Sequence, residues 1–519
     1  MISRPALRAP ATRRRFLAGA GALLAAPALL RFPAAWAQGD PFALGVASGD
    51  PWPDGMVLWT RLMLGPDPGE PPPQAAAVQW ELAEDETFRK IVRQGSETAT
   101  PDLAHSVHVE PAGLKSGRWY WYRFHHAGAT SPVGRTRTAP GPGETPDRFR
   151  FAFASCQQYE QGYYAAHRHM ARDDHDLVLF LGDYIYEISY GRTRVRQHGS
   201  PIPVTLPEYR RRYALYKSDR DLQASHAACP WATIWDDHEL ENDYANDRSE
   251  NLGSPQDFLK RRAAAYQAYY EHLPLRAAQR PRGPDAQLYR RLGFGGMASI
   301  VLIDDRQYRS YHACPKPGRG GSNVVGDDCA ERVDPRRTML GQAQEGWFER
   351  QLAASAARWN VIAQQTLVAQ FDENEGQGRR FWTENWDGYP LARRRMIDAI
   401  ADTKAQNPLI AGGDMHTFFA CDIKRDFDRP GSPPVASEFV GGSITSQALP
   451  QARLDRWKEN NPHMHLAEGR RHGYGSCTLT KNRAEIAFRA VKDILEPNSG
   501  IETFAAYAVE SGKPGINKA

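Results

Sequence analysis

The sequence predicts a layered α/β protein, a sheet core flanked by helices, with a small β-sandwich placed ahead of it. Three observations carry that expectation: a change of pattern near residue 140, short alternating runs before it, and near-continuous apolar strands between helices after it. Residues 40–138 contain runs such as 56–61, 78–82 and 119–124, where apolar and polar side chains alternate between Gly, Pro and Asp turns. Alternation with a period of two gives each strand one apolar face, as a sandwich of the immunoglobulin/fibronectin-like kind requires. Ala139-Pro140-Gly141-Pro142-Gly143-Glu144-Thr145-Pro146 then forms a linker, because neither proline nor glycine pairs well in a sheet.

Beyond the linker, strands are expected at 149–154, 177–181, 232–235, 299–303, 361–363 and 409–411, and helices at 257–272, 343–356 and 391–404. Strands this apolar suit a sheet covered on both faces. Residues 149–495 are therefore expected to make one large catalytic domain. In the tail, 496–519, a helix around 503–511 is expected to lie back on that domain.

The ends and the bulk composition narrow the class. Residues 1–37 have the form of an export signal: Arg13-Arg14-Arg15-Phe16-Leu17 is a twin-arginine pattern, and Ala35-Trp36-Ala37 supplies small residues for a signal peptidase. The Ala/Leu/Gly stretch between them is too short to span a bilayer, which takes roughly 20 apolar residues. A partnership with the twin-arginine export machinery, a periplasmic or secreted product and no stable membrane anchor follow as expectations. This segment holds six arginines and no acid, so removing it takes the formal net charge from +4 to −2. No nucleic-acid-binding surface is expected from such a balance, and the chain is expected to be a monomer. Six cysteines are too few to staple a chain of this length, so the fold must rest on its cores. Cys314 and Cys329 bracket a Gly/Pro/Asp-rich loop, where a local disulfide and two free thiols both stand as readings. Cys229, Cys421 and Cys477 sit in or beside apolar stretches as core fillers.

Reactive side chains follow the ends of four predicted strands. Strand 149–154 runs into Cys156, 177–181 into Asp183 and Tyr186, 232–235 into Asp236-Asp237-His238-Glu239, and 409–411 into Asp414-Met415-His416. In layered α/β proteins ligands bind just outside the carboxyl ends of strands, so these residues should converge on one cleft. Asp183 is suited to bridge two cations, and Tyr186, three residues on, can return to the same ion through its phenolate. A phenol ionises near pKa ~10 in water, so holding it as an anion calls for a strong Lewis acid such as ferric iron. Cys156 as thiolate and His416 as imidazole complete a mixed shell for a transition metal. Asp237 and Asp414 are hard oxygen donors, suited to a second ion of the Ca²⁺, Mg²⁺ or Mn²⁺ type.

At Gly182-Asp183-x-x-Tyr186, Trp235-Asp236-Asp237-His238-Glu239 and Gly412-Gly413-Asp414-Met415-His416 the chain resembles the PhoD-type alkaline phosphatase/phosphodiesterase family. That family is related to the purple acid phosphatases within the calcineurin-like metallophosphoesterases. The resemblance extends to Ala47-Ser48-Gly49-Asp50-Pro51, Asp305-Arg306-Gln307-Tyr308-Arg309, Trp386-Asp387-Gly388-Tyr389-Pro390 and Gly442-Ser443-Ile444-Thr445-Ser446. It implies a metallophosphoesterase-type core behind a β-sandwich. It also implies Fe³⁺ held by Cys156, Asp183, Tyr186 and His416, and Ca²⁺ held by Asp183, Asp237 and Asp414. Purple acid phosphatases generally carry Asn-His where this chain has Asp237-His238, and the added charge favours a hard divalent cation.

The chemistry expected is hydrolysis of phosphate monoesters and diesters. A hydroxide held on or between the metals would attack phosphorus in line with the leaving alkoxide, while the cations neutralise the phosphate oxygens. His238 is expected as the catalytic side chain, hydrogen-bonding substrate or helping the leaving group, with Glu239 as its orienting partner. Two readings stand for Arg306 and Arg309, a phosphate clamp or plain surface salt bridges. Two other functions compete: a phospholipase D-like diesterase acting on phospholipids, and a non-catalytic surface-binding protein.

Overall fold

The computed structural model describes residues 39–519 apart from Arg192 and Pro430; the proposed export signal, 1–37, lies outside the described residues. Neighbouring residues of one strand serve different cores, which explains the near-continuous apolar runs. Leu409 and Ala411 join a core shared with Phe153, Phe418 and Phe439, whereas Ile410 between them joins Phe348, Met396 and Ile397 of two covering helices. The first of these cores lies between two stacked sheets, where the Phe488 ring of one sheet meets Phe418 of the other with centroids 5.1 Å apart. Each such side chain withdrawn from water contributes about 1.5–3 kcal/mol.

The larger sheet has ten strands, in the spatial order Lys513–Lys518, Ile501–Glu510, Arg483–Val491, His472–Thr480, Arg148–Ala154, Leu177–Leu181, Trp231–Ile234, Val46–Trp52, Gly55–Arg61 and Ser106–Val109. The seven-stranded sheet runs Arg290–Phe294, Ala298–Leu302, Trp359–Ala363, Pro408–Gly412, Pro434–Gly441, Phe418–Lys424 and Met464–Glu468. Central strands in both are parallel: Leu177–Leu181 pairs with Arg148–Ala154 and Trp231–Ile234, and Trp359–Ala363 pairs with Ala298–Leu302 and Pro408–Gly412. Within each sheet the carboxyl ends of these strands therefore open on one rim. The helices Leu206–Lys217, Arg220–Ala228 and Pro255–His272 flank the larger sheet, and Gly341–Ala353 and Pro390–Asp402 cover the smaller.

The front of the chain does form a β-sandwich. Val78, Trp80, Leu82, Tyr120, Tyr122 and Phe124 pack on Val46, Met56, Leu58, Val107 and Val109. One of its two sheets is continuous with the ten-stranded sheet, because Gly49 lies beside Trp231 in a parallel pairing. Strand Gly55–Arg61 is consequently buried on both faces: Met56 and Leu58 face the sandwich, while the Trp59 indole donates to Glu271 O at 3.1 Å and stacks against Lys217 Nζ at 4.0 Å.

The tail departs from expectation. Of residues 503–511, all but Ser511 fall in strand Ile501–Glu510, which is paired antiparallel with Arg483–Val491 and turns at Ser511 and Gly512 (φ 81°) into Lys513–Lys518. The alanines of that run favour a helix locally, but the open sheet edge offers backbone partners and a core for Tyr507 and Val509, and tertiary pairing overrides the weak propensity. Cys314 and Cys329 form a disulfide, and the remaining four cysteines are buried and free. Among the described residues no helix is long and apolar enough to cross a membrane.

Candidate metal centre

Each reactive loop begins where a parallel strand ends, and in three of the four the backbone there takes an uncommon turn. Cys156, Asp183, Asp414 and His416 all have positive φ, between 52° and 61°. Asp and His tolerate this conformation better than most residues, but Cys156 does not, and there it persists only where the surroundings over-determine it. Gly182 (φ 100°) makes the closest approach possible: a Cβ there would lie 2.3 Å from Cβ of Asp236. Two ligand-bearing loops are thereby pressed together, and the strand ends turn their side chains inward over the rim.

The cluster has two halves that share Asp183. In the first, ligand atoms of Cys156, Asp183 and His416 lie within 4.8 Å of one another. The Tyr186 hydroxyl donates to Asp183 Oδ2 at 2.6 Å and lies 3.0 Å from His416 Nε2. Across from it, His416 Nδ1 faces Gln447 O at 2.8 Å, which fixes the ring and turns Nε2 to the centre. In the second half, Asp183, Asp236, Asp237 and Asp414 present carboxylate oxygens within the same span, and His238 joins Asp183 and Asp237. The structure thus brings Cys156, Asp183, Tyr186, Asp237, His238, Asp414 and His416 into one site.

Donor chemistry here fits cations. Asp183 Oδ1, Asp237 Oδ1 and Asp414 Oδ2 are buried and have no hydrogen-bond partner among the described residues. Burial, then the charge of Asp183, pushes the Cys156 thiol and the Tyr186 phenol well above their ordinary values. Burial, aided by Asp237 and Asp183 against Arg306, pushes the Asp414 carboxyl up to about 6. Burial acts the same way on Asp237, but the charges of Arg306 and His238 outweigh it and hold that carboxyl below the usual range. A bound cation favours thiolate, phenolate and carboxylate together, so it supplies the compensation that burial withholds.

Several side chains that serve the site were not singled out from the sequence. Glu187 Oε2 accepts from His238 Nδ1 at 2.7 Å, leaving Nε2 of that ring toward the cluster. The orienting partner of His238 is therefore Glu187. Glu239, expected in that role, instead accepts backbone N–H groups of Asp183, Tyr184 and Asp236 and staples two loops. Asp237 Oδ2 accepts from Asp243 N at 2.7 Å. Tyr190 stacks on His238 with ring centroids 6.3 Å apart.

Neither reading of the two arginines survives, for both are fully buried. Arg306 bonds Asp236 and Glu384 and lies 3.8 Å from Asp237 Oδ1 and 3.6 Å from Asp414 Oδ2. Arg309 reaches Glu384 at 3.0 Å and the carbonyl of Tyr244. These are interior counter-charges behind the carboxylates, beyond the reach of substrate. Sequence held no sign of it, because the carboxylates concerned lie 69 or more positions away.

Fold and site together define a layered α/β enzyme with a buried cluster of metal-ready donors on the rim of its parallel strands. The comparisons agree. Residues 151–488 match the family described as PhoD-like phosphatase, and residues 26–140 match the PhoD-like phosphatase N-terminal domain. The chain belongs to the PhoD-like phosphatase family. It is 45% identical over 491 residues to alkaline phosphatase D of Bacillus subtilis (strain 168), covering 92% of this chain and 82% of that one. A solved structure titled "Structure of PhoD" superposes with a TM-score of 0.87 at 44% identity, covering 92% of both chains.

Proposed function

We propose that the protein is an exported alkaline phosphatase/phosphodiesterase that hydrolyses phosphate monoesters and diesters with Fe³⁺ and Ca²⁺. The observation that carries this reading is the two-part cluster around Asp183, whose donors differ in kind on its two sides. Cys156, Tyr186 and His416 would hold iron with Asp183, and Asp237 and Asp414 would hold calcium with the same bridge. When bound, the cations lower the pKa of a water and neutralise charge on the phosphate oxygens. His238 is suited to donate from Nε2 to a phosphate oxygen or to the leaving alkoxide. In the protein alone burial would keep its ring neutral, but the charges of Glu187, Asp237 and Asp183 outweigh burial and raise its pKa well above the ordinary value. With cations on Asp183 and Asp237, Glu187 is the charge left to favour the protonated ring. Glu187, gripped in turn by Asn242 N at 2.7 Å, holds the ring in that attitude. Likeness to alkaline phosphatase D supports the substrate class, and the twin-arginine leader supports periplasmic or secreted localisation through that export machinery.

The test is metal analysis of the exported protein beside rates on a paired phosphomonoester and phosphodiester, with a phosphatidyl lipid as third substrate. Iron and calcium with turnover of the simple esters are expected. Preference for the lipid would move the assignment to a phospholipase D-like diesterase. Tyr186→Phe is expected to remove the visible absorption of a phenolate on ferric iron. Full activity in a colourless, iron-free protein after exhaustive chelation would end the proposal.

A further inference from the structure

The segment Gly442-Ser443-Ile444-Thr445-Ser446-Gln447, which follows strand Pro434–Gly441, is not among the metal-ready donors, yet it hydrogen-bonds Cys156, Tyr186 and His416 of the first half. Ser155 O accepts from Ile444 N at 3.1 Å, and Cys156 O accepts from Thr445 N at 3.3 Å and Ser446 N at 3.2 Å. Gln447 O orients His416. Thr445 Oγ1 donates to Gln158 O at 2.7 Å, and Ser443 Oγ donates to Ser446 O at 2.6 Å, so the loop is closed on itself and on the Cys156 loop. Gly442 (φ 68°) allows the close turn, since a Cβ there would meet the Phe418 ring at 2.5 Å.

Ser446 holds the key position. Its fully buried hydroxyl accepts from Gln158 N at 3.2 Å, so its single proton faces two acceptors: Cys156 O at 2.7 Å and the Tyr186 hydroxyl oxygen at 2.8 Å. As a phenol, Tyr186 gives its own proton to Asp183. Once its oxygen ligates a cation it can no longer donate, and it becomes the strongest acceptor within reach of Ser446. Turning the Ser446 proton to Tyr186 leaves Cys156 O still satisfied by two backbone N–H groups. No buried group is orphaned by that switch.

We propose that Ser446 is a positioning residue of the iron half, donating its hydroxyl proton to the Tyr186 phenolate and thereby tuning that ligand's donor strength and the retention of iron. The inference rests on the iron assignment proposed above. A hydrogen bond to a phenolate lowers the energy of its donor electrons, so losing it moves the phenolate-to-iron absorption to longer wavelength. It also removes a contact that holds the phenolate oxygen in place, and this loss of position is what weakens the retention of iron. Outer partners of metal ligands typically govern about 10–100-fold in affinity.

The test uses the iron-loaded, full-length exported protein. In Ser446→Ala the visible band is expected to shift to the red, with iron affinity against a competing chelator falling about 10–100-fold. Ser443→Ala loosens the same loop without touching a ligand and is expected to leave the band in place. In the wild type, exchange into D₂O is expected to shift the phenolate C–O stretch in the resonance Raman spectrum, a readout that needs no variant to fold. Tyr190→Phe is expected to keep that isotope shift. An unmoved band in Ser446→Ala, an equal shift in Ser443→Ala, no isotope shift, or its loss in Tyr190→Phe alone would each overturn the inference. A wild type without iron or a visible band would instead remove the iron reading itself, and this inference with it.

Discussion

The two halves of the cluster solve the same electrostatic problem in opposite ways. Around Cys156, Tyr186 and His416, burial and the charge of Asp183 keep the thiol and the phenol protonated in the protein alone, and the donors are aimed by backbone and hydroxyl contacts from the loop ending at Ser446 and Gln447. Around Asp237 and Asp414 the donors are carboxylates packed beside a third, Asp236, and the fold supplies a buried cation of its own, Arg306. One half is held by geometry and waits for a metal to ionise it. The other is gathered around a guanidinium, which holds the Asp237 carboxyl low while burial pushes Asp414 up to about 6 and Asp236 well above the ordinary range. Buried anions need compensation, and these halves obtain it from different sources.

Three outcomes would sharpen or break that contrast. Asp183→Asn should cost about 10³-fold or more in kcat/KM, since a principal electrostatic element of both halves is lost. Metal analysis should show depletion at both sites, and depletion of one alone would mean Asp183 does not bridge them. Arg306→Met should destabilise the metal-free protein by about 3–5 kcal/mol, because Asp236, Glu384 and their neighbours lose a buried counter-charge. Denaturation with saturating calcium should recover part of this, and an equal loss with and without calcium would show that Arg306 does not share its task with a cation. Glu187→Gln keeps the shape of the His238 contact but removes its charge, and should lower kcat about 10–100-fold with metal content unchanged.

The smallest effect concerns acid stability away from the site. Burial lowers His175 and His463 to about 4 and His167 to about 3, below the ordinary value of 6.5. The unfolded chain therefore binds these protons first. Stability should be fully present above pH 6.5 and fall as pH drops from there toward 4, seen as a declining melting temperature. A melting temperature flat across that window would mean these rings become protonated without cost inside the fold.

Much of this protein was legible in one dimension. Apolar strands ending in Cys156, Asp183-x-x-Tyr186, Asp237-His238 and Asp414-Met415-His416 announced a layered α/β core and a convergent site, because strand direction carries its side chains to one rim. The alternating runs of residues 40–138 announced the sandwich for a similar local reason. Such readings succeed where the physics is short-range: a period of two, a turn, a ligand spacing.

What only the tertiary structure decided were relations between distant segments. Whether residues 503–511 coil or pair depended on an open sheet edge offered by Arg483–Val491, and the edge prevailed over the helical preference of alanine. Gly49 beside Trp231 joins the front of the chain to the large sheet, a pairing across 182 positions that no local pattern encodes. Arg306 became an interior counter-ion, Glu187 took the place foreseen for Glu239, and Ser446 came to rest against Tyr186, 260 positions away. Ligands can be recognised from sequence because their chemistry resides in single side chains. Their partners cannot, because a hydrogen bond or a buried charge exists only between groups that folding brings together.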